Sequence, residues 1–385
     1  MRFEFATATR ILFGPGRLLE VAPAAKAMGS LALVVTGRTA GRAEPLVALL
    51  RSGGVGHFLF PTAGEPTTDL VREGAQRARQ AACDLVIAFG GGSVVDAGKA
   101  IAALMTNPGE LVDYLEVIGQ GKQLERSPVP FIAIPTTSGT GAEVTRNAVL
   151  VSRQHRLKVS LRSPLMLPRL AVVDPELTLG LPCPLTASTG LDALTQLIEP
   201  FVSCLANPLT DGLCREGIGC VARSLRRSCE QPGDLGARED MALASLASGL
   251  GLANAGLGAV HGLAAPIGGS FPAPHGAVCA ALLPLVMEAN IRALLRRQPQ
   301  SASLARYAEV ARLLTRSESA TGVDGAAWVR ELCVALSIPA LGRYGLRPAD
   351  VPALCEQAAQ TNSMKGNPLP LLREQPTVAG RLSGG

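Results

Sequence analysis

The chain has 385 residues, which is too long for one ordinary single-core domain and indicates two domains. The composition is 47% hydrophobic and 17% charged with a mean hydropathy of +0.27, which excludes a disordered chain. The net charge of +5 is mild and no basic run is present, so nucleic acid is not an expected partner.

Cysteine usage and hydropathy bear on the compartment. The nine cysteines are scattered without a Cys-x-x-Cys pair, a pattern typical of reduced thiols in a cytoplasm. The N-terminal residues lack the apolar core of a signal peptide. The apolar stretches are broken before the roughly 20 residues that a membrane span needs. We therefore expect a soluble cytoplasmic protein without a membrane partner.

The first 180 residues alternate short apolar segments with amphipathic ones. The apolar segments are typical of buried parallel strands and lie at 31–35, 58–60, 85–89, 131–134 and 170–173. Two segments between them, 68–82 and 94–105, have helical periodicity. This alternation predicts an α/β domain with a mostly parallel sheet over residues 1–180.

From residue 185 onward, helical periodicities replace the strand-like segments. The predicted helices lie at 187–202, 209–227, 238–252, 279–297, 303–314 and 326–336. Residues 181–385 are therefore predicted to form an all-helical domain, with the boundary near residue 180. The tail after Arg373 is rich in Gly, Pro and polar residues and is expected to fray.

Three glycines and a serine, Gly90 to Ser93, follow the strand predicted at 85–89 and precede a helix. Glycines allow a ligand to approach the backbone closely, and Ser93 is predicted to be the N-cap. The start of the helix offers N–H groups and the positive end of its dipole. These features suit a pyrophosphate, although a tight strand-to-helix turn would have the same pattern.

A second polar loop, at 136–145, carries five hydroxyl side chains in ten positions and also follows a predicted strand. Hydroxyls can bind ribose and phosphate oxygens. Loops at the carboxyl ends of parallel strands converge on one crevice, so both loops could line the same site. A Ser/Thr turn at the start of a helix would account for about two of these hydroxyls.

The candidate metal ligands are a carboxylate and two imidazoles. Asp192 lies near the start of an apolar helix, where burial would be costly without a partner, and Gln196 follows on the same face. His261 and His275 lie in a segment rich in Gly, Ala and Pro, where a lone histidine is usually a core or turn residue. Together, Asp192 and the two histidines could hold Zn²⁺ or Fe²⁺ and leave one position open. The cysteines show no ligand spacing and are predicted to be core residues.

Taken together, these motifs resemble those of the iron-containing (group III) alcohol dehydrogenases, over essentially the whole chain. The resemblance rests on Gly90 to Ser93 with Asp96 and Lys99, the loop at 135–140, Lys158, Asp174-Pro175, the segment 189–194, and His261 with His275.

The resemblance implies a dinucleotide-binding α/β domain and a helical domain, as in the dehydroquinate synthase-like architecture, with a divalent metal in the cleft between them. It also implies a homodimer or higher homo-oligomer. The positions that match cofactor contacts in the family are Gly91, Gly92, Ser93, Asp96, Thr136, Thr137, Thr140 and Lys158. Those that match the family's metal ligands are Asp192, Gln196, His261 and His275.

Three positions depart from the family pattern. Gln196 replaces a histidine ligand, and an amide oxygen is a weaker donor, so metal affinity should fall. Ala265 replaces a histidine thought to relay the alcohol proton, which must then leave by water, a ribose hydroxyl or another side chain. Gly37 replaces an Asp common in NAD-preferring relatives and is followed by Arg38, which favours tolerance of NADP as well as NAD.

The sequence thus predicts a metal-dependent, NAD(P)-linked alcohol dehydrogenase or aldehyde reductase acting on a small alcohol or aldehyde. Hydride would pass between the alcohol carbon and the nicotinamide. One alternative is a maleylacetate reductase-like enzyme, which would need clustered cations beside Asp192. The other is a catalytically weakened homologue that binds NAD(P) without turnover.

Overall fold

The computed structural model describes residues 2–155 and 157–370. These residues form two compact units. The sheet unit comprises Ala6–Thr137 and Gly141–Thr178. The helical unit comprises Ser138–Thr140 and, of the described residues, 2–5 and 179–370. The predicted fraying after Arg373 concerns residues outside the described part of the chain.

The sheet unit contains eight strands and five short to medium helices. The strands are β1 (Ile11–Phe13), β2 (Leu31–Thr36), β3 (Gly56–Pro61), β4 (Leu85–Gly90), β5 (Phe131–Pro135), β6 (Asn147–Ser152), β7 (Leu157–Arg162) and β8 (Leu170–Val173). The helices are α1 (Val21–Lys26), α2 (Glu44–Ser52), α3 (Thr68–Gln80), α4 (Gly92–Thr106) and α5 (Leu111–Tyr114). Six strands form one parallel sheet in the order β1-β8-β5-β4-β2-β3, while β6 and β7 form an antiparallel hairpin. The predicted parallel sheet is confirmed.

Strand β4 shows why the sheet could be predicted. All six of its residues are buried. Val86 and Ala88 pack into one apolar core with residues of α3 and α4, whereas Leu85 and Ile87 pack into a second core with residues of α1 and α2. A strand covered by helices on both faces needs apolar side chains at every position, since successive side chains point to opposite faces.

The helical unit consists of eight helices around one apolar core. They are α6 (Cys183–Val202), α7 (Pro208–Glu230), α8 (Leu235–Ala255), α9 (Ala259–Ser270), α10 (His275–Arg297), α11 (Ala302–Thr315), α12 (Gly322–Ala335) and α13 (Val351–Ala359). The predicted all-helical second half is confirmed. Helix α6 begins earlier than predicted, so Asp192 lies in the middle of the helix rather than near its start.

Helix α10 is long and apolar enough to cross a membrane by length and composition, contrary to the expectation from the sequence. The consecutive helices α8 and α9, bent by 99° at their junction, pass the same test as a pair. However, 72% of the apolar window of α10 is buried inside the protein, as in the core helix of a helical bundle.

Candidate metal and dinucleotide sites

The position of His275 beside Asp192 depends on a close approach between two helices. Helix α10 begins at His275, and the next residue, Gly276, packs against α6. A Cβ atom at Gly276 would lie 2.4 Å from the carbonyl oxygen of Ser188, so only glycine allows this contact. As a result, His275 Nε2 lies 3.7 Å from Asp192 Oδ1.

His261 is oriented by a buried carboxylate that the sequence analysis missed. Glu199, also on α6, accepts a hydrogen bond from the backbone N–H of Val260 at 2.6 Å, in the first turn of α9. Its other oxygen lies 2.6 Å from His261 Nδ1. An ionised carboxylate can only accept, so Nδ1 carries a proton, and Nε2 is the ring nitrogen left to bind a metal ion. That Nε2 atom lies 3.4 Å from Asp192 Oδ1.

A cysteine completes the group. Cys279 lies one helical turn after His275 on α10 and is fully buried. Its Sγ atom is 3.7 Å from His275 Nε2 and 3.8 Å from His261 Nε2. One ligand atom from each of Asp192, His261, His275 and Cys279 lies within 4.8 Å of the other three. We call these four residues the donor cluster.

The electrostatics of the donor cluster favour added positive charge. Burial favours the neutral form of Asp192, yet His275 and His261 hold the pKa of its carboxyl below the usual range. Burial also lowers the pKa of His261, but Cys279 and Glu199 outweigh it, so the net pKa lies well above the ordinary value. The pKa of His275 is raised as well, mainly by Cys279. Groups that stabilise a proton in this way also suit a bound cation.

A second observation, a buried carboxylate oxygen without a hydrogen-bond partner among the described residues, also indicates that the donor cluster suits a divalent metal. Asp192 Oδ1 is buried, and within the described residues it has no hydrogen-bond partner. A buried carboxylate oxygen left without a partner costs free energy, which a cation would offset. Nitrogen, oxygen and sulfur donors together are the ligands that Zn²⁺ and related transition metals take.

The sequence pattern predicts that the cysteines are core residues without a role in metal binding. The prediction that the cysteines are core residues is wrong for Cys204 and Cys355, which are exposed, and incomplete for Cys279, which belongs to the donor cluster.

Gln196, the other residue predicted to bind the metal, is buried on α6, and its side-chain oxygen lies 3.3 Å from Ser248 Oγ. Its role as a metal ligand stays a prediction.

The two predicted cofactor loops leave neighbouring strands of the sheet unit. Strands β4 and β5 pair in parallel, and the backbone N–H of Thr136 donates to the carbonyl of Gly90 at 2.9 Å. A Cβ atom at Gly91 would lie 3.2 Å from Thr137 Oγ1, so the two loops are in contact. Gly37 follows β2, the neighbour of β4 on its other side. The carboxyl ends of these three strands share one edge of the sheet, where dinucleotides bind in open α/β sheets.

Ser93 is not the N-cap that the sequence predicted. Helix α4 begins at Gly92, and the N-cap is Gly91, with an extended backbone and no capping side chain. The run of glycines allows the chain to turn into the helix two residues earlier than a capping Ser93 would require. Backbone N–H groups at the start of this 15-residue helix are available to an anion.

Three further residues predicted to bind the cofactor lie outside the start of α4 and the loop at 136–137. They are Asp96, Lys158 and Thr140. Asp96 accepts a hydrogen bond from the backbone N–H of Val149 on β6 at 3.1 Å. Lys158, on β7, forms an ion pair with Glu65 at 2.6 Å. Thr140 belongs to the segment Ser138–Thr140 of the helical unit. That segment is held by a 2.7 Å hydrogen bond from the N–H of Gly139 to Ser245 Oγ on α8.

Lys99 fixes the end of the hydroxyl-rich loop. Its side chain is fully buried and donates to the carbonyl oxygen of Ala142 at 2.9 Å and to Thr145 Oγ1 at 2.8 Å. It also contacts the carbonyl of Asn147 and lies 3.4 Å from a carboxylate oxygen of Asp96. Burial is the main reason why the pKa of Lys99 is lowered. The motif Asp96-x-x-Lys99 therefore stabilises the loop that follows β5.

Comparisons with known proteins decide the family. The sequence model of the family "Iron-containing alcohol dehydrogenase" matches residues 8–175. The model of the "Fe-containing alcohol dehydrogenase family, C-terminal" matches residues 186–377. The chain belongs to the iron-containing alcohol dehydrogenase family. It is an oxidoreductase acting on CH–OH groups, and the predicted family and enzyme class are confirmed.

Individual members of the family are similar to this chain over nearly its full length. The chain is 33% identical to 1,3-propanediol dehydrogenase of Citrobacter freundii over 379 residues, covering 95% of both chains. A crystal structure of 1,3-propanediol oxidoreductase is 32% identical, with a TM-score of 0.91 and coverage of 100% of both chains. Sulfoacetaldehyde reductase from Bifidobacterium kashiwanohense, in complex with NAD⁺, is 28% identical with a TM-score of 0.88, covering 100% of this chain and 99% of its own.

Proposed function

We propose that this alcohol dehydrogenase transfers hydride reversibly between the carbon of a small alcohol and the nicotinamide of NAD or NADP, with the help of one divalent metal ion. The observation that carries the proposal is the convergence of Asp192, His261 and His275, of which the first two are buried and His275 is partly exposed. These three residues, with Gln196 as a fourth candidate, would hold the ion. When bound, Fe²⁺ or Zn²⁺ would act as a Lewis acid on the substrate oxygen.

The chain's own residues would prepare the site before substrate arrives. Glu199 keeps the proton of His261 on Nδ1 and so leaves Nε2 available as a donor. The carboxylate of Asp192 supplies negative charge in a buried position. The close packing of α10 on α6 at Gly276 fixes the start of α10, which carries His275.

Cofactor binding is assigned to the carboxyl edge of the sheet. The start of α4, with Gly91, Gly92 and Ser93, would hold the pyrophosphate through backbone N–H groups. The hydroxyls of Thr136, Thr137 and Thr140 would bind cofactor oxygens, and Asp96 and Lys158 would flank them. The existence of a family structure with NAD⁺ supports this assignment.

The choice between NAD and NADP is assigned to the turn after β2. A Cβ atom at Gly37 would meet nothing within 4 Å, and the neighbouring Arg38 is exposed. The guanidinium of Arg38 can pair with a 2′-phosphate. Because position 37 is a glycine, it places no carboxylate there that would repel the phosphate. We therefore propose that the enzyme accepts both cofactors.

Proton transfer would proceed without a histidine at position 265. Ala265 lies one turn after His261 on α9 and is half-buried. A positioned general acid–base group is typically worth about 10²–10⁴-fold in rate, so we expect slow turnover unless water or a cofactor ribose hydroxyl carries the proton.

The experiment combines metal analysis with an activity panel. Purified protein is assayed with NADH and NADPH against short aldehydes and maleylacetate, before chelation, after exhaustive chelation, and after addition of Fe²⁺ or Zn²⁺. We expect activity with aldehydes that chelation abolishes and metal restores. His275→Ala should remove metal and activity together, whereas His57→Ala, on β3, should retain both.

Other results would reject the proposal. Full activity in protein that elemental analysis shows to be metal-free would exclude the Lewis-acid role. Activity confined to maleylacetate would change the substrate class. Binding of NADH, seen as a shift in its fluorescence, without turnover of any aldehyde would identify a homologue that has lost catalysis.

We also propose that the enzyme is cytoplasmic and forms a homodimer or higher homo-oligomer. All nine cysteines lie in the described part of the chain and none is in a disulfide, which supports a reducing cytoplasm. Light scattering of the purified protein would test the homodimer or higher homo-oligomer that the family resemblance implies.

A further inference from the structure

We propose that the thiolate of Cys279 is a direct ligand of the metal ion and, rather than Gln196, supplies the fourth protein donor. This inference rests on the proposed metal-dependent function, and it adds a ligand that neither the sequence pattern nor the family resemblance indicated. It predicts a site with one oxygen, two nitrogen and one sulfur donors.

Four of the six distances among the donor atoms are close to those around one tetrahedral ion, and all six lie within 4.8 Å. Bonds of about 2.0–2.1 Å to nitrogen or oxygen and about 2.3 Å to sulfur place neighbouring donors about 3.3 Å apart, or about 3.6 Å where one is sulfur. The carboxylate oxygen of Asp192 lies 3.4 and 3.7 Å from the two Nε2 atoms. Cys279 Sγ lies 3.7 and 3.8 Å from the same two atoms. The four distances thus exceed the tetrahedral values by at most about 0.4 Å.

The polar atoms of the cluster have few other partners. His261 donates its Nδ1 proton to Glu199, so its Nε2 atom faces Cys279 and Asp192. Asp192 Oδ1 is buried and without a hydrogen-bond partner in the described residues. Acceptor atoms that converge in a buried space repel one another unless a proton or a cation lies between them.

Gln196 has a competing contact. Its side-chain oxygen lies 3.3 Å from Ser248 Oγ, but the single proton of that hydroxyl has a nearer acceptor in the carbonyl of Ser245, at 2.8 Å. The amide of Gln196 therefore lies against α8 and offers the metal only an uncharged oxygen. A thiolate, in contrast, adds a second negative charge to that of Asp192 and would balance a divalent ion.

Thiolate ligation has consequences for metal choice and proton balance. Cys279 must lose its thiol proton to the solvent when the ion binds, so one proton is released for each thiol that becomes a ligand. Thiolate is a soft ligand and favours Zn²⁺ over hard ions such as Mg²⁺. With four protein donors, the substrate oxygen would bind as a fifth ligand, and catalytic zinc sites can expand to five-coordinate.

Spectroscopy of metal-loaded protein tests the inference without reference to activity. Full-length protein is loaded with Co²⁺ and its near-ultraviolet spectrum recorded, because thiolate-to-cobalt charge transfer absorbs there. X-ray absorption of the Zn²⁺ form should show one sulfur neighbour at about 2.3 Å. Cys279→Ala and Cys279→Ser should lose both signatures. They should also bind Zn²⁺ at least about tenfold more weakly, because even the loss of a residue that only hydrogen-bonds to a ligand lowers metal affinity by about that factor.

Control variants separate a ligand from a general effect on the core. Cys214→Ala removes another fully buried thiol of the helical unit, on α7, and should keep the charge-transfer band. Gln196→Ala should keep the band as well. If either Cys279 variant fails to fold, X-ray absorption of the wild-type protein still decides whether sulfur binds the metal.

The possible results distinguish this inference from the proposed function. Stoichiometric metal with a sulfur neighbour that depends on Cys279 supports the inference. Stoichiometric metal with only nitrogen and oxygen neighbours overturns it and leaves the proposed function standing. Failure of the wild-type protein to bind Co²⁺ or Zn²⁺ overturns both.

Discussion

The contact between Glu199 and His261 provides a sharp test of how the metal site is built. The carboxylate accepts two hydrogen bonds of 2.6 Å, from the N–H of Val260 and from His261 Nδ1. Glu199→Gln keeps the shape but leaves only one accepting oxygen. If the new NH₂ group faces His261, it forces the imidazole proton onto Nε2 and blocks the donor atom. If it faces Val260, the first turn of α9 keeps an unpaired buried N–H.

The magnitude follows from the same two contacts. A hydrogen bond to a charged group contributes about 1.5–3 kcal/mol, so we expect the free energy of unfolding of the metal-free protein to fall by that amount in either orientation. Loss of a partner that orients a metal-binding histidine typically lowers metal affinity by about 10–100-fold. That range corresponds to about 1.4–2.7 kcal/mol. The two expectations agree in size because both measure one lost contact to a buried charge.

Two measurements check this expectation. Zn²⁺ affinity is obtained by competition with a chromophoric chelator, and stability by urea denaturation of metal-free protein. Glu309→Gln is the matched control, because that carboxylate forms an ion pair with Arg215 at the surface, where such pairs contribute about 0–1 kcal/mol. A Glu199→Gln protein that binds Zn²⁺ as tightly as the wild type would refute the view that Glu199 sets the tautomer of His261.

Three further predictions concern stability, packing and cofactor choice. Burial raises the pKa of Glu143 from 4.5 to about 7, so the folded protein holds a proton that the unfolded chain releases. The free energy of unfolding should therefore fall by up to about 3 kcal/mol as pH rises from about 5 to 8. Urea denaturation of Glu143→Gln should not show this fall. Gly276→Ala would place a Cβ atom 2.4 Å from the carbonyl of Ser188 and should weaken Zn²⁺ binding at least about tenfold. Gly212→Ala, with nothing within 4 Å, should add about 0.5–1 kcal/mol of stability and leave Zn²⁺ binding unchanged in the same assays. Gly37→Asp should raise the KM for NADPH about tenfold relative to NADH, since charges about 4 Å apart near a surface repel by about 1–4 kcal/mol; an unchanged ratio would reject this assignment.

The elements that the sequence predicted are those whose surroundings are uniform. Strand β4 is covered on both faces, so its apolar side chains are continuous and stand out from the flanking polar residues. Strands β6 and β7 alternate between buried and exposed positions and were not predicted. Strand β1 has only three residues, too few for a pattern. Helix α9 contains Pro266 and several glycines, which individually disfavour helix, and tertiary packing overrides that preference.

The metal site shows a different limit. Asp192, His261 and His275 could be proposed because charged and imidazole side chains are conspicuous among apolar residues. Cys279 could not, because a cysteine among apolar residues is itself a common core residue. Its position becomes informative only when α10 is known to begin at His275, since residues four apart then lie on the same face of the helix.

Helix α6 contains a pattern that identifies the site more directly. Asp192, Gln196 and Glu199 are spaced by four and then three residues, so they form one stripe along the helix. All three are almost fully buried, with exposed fractions of 2%, 3% and 5%. An apolar helix that buries a polar stripe must pair it with partners from other elements, because each unpaired group would cost more than about 1 kcal/mol. Two of the three, Asp192 and Glu199, meet His261, so the stripe itself marks the side of α6 that faces the metal site.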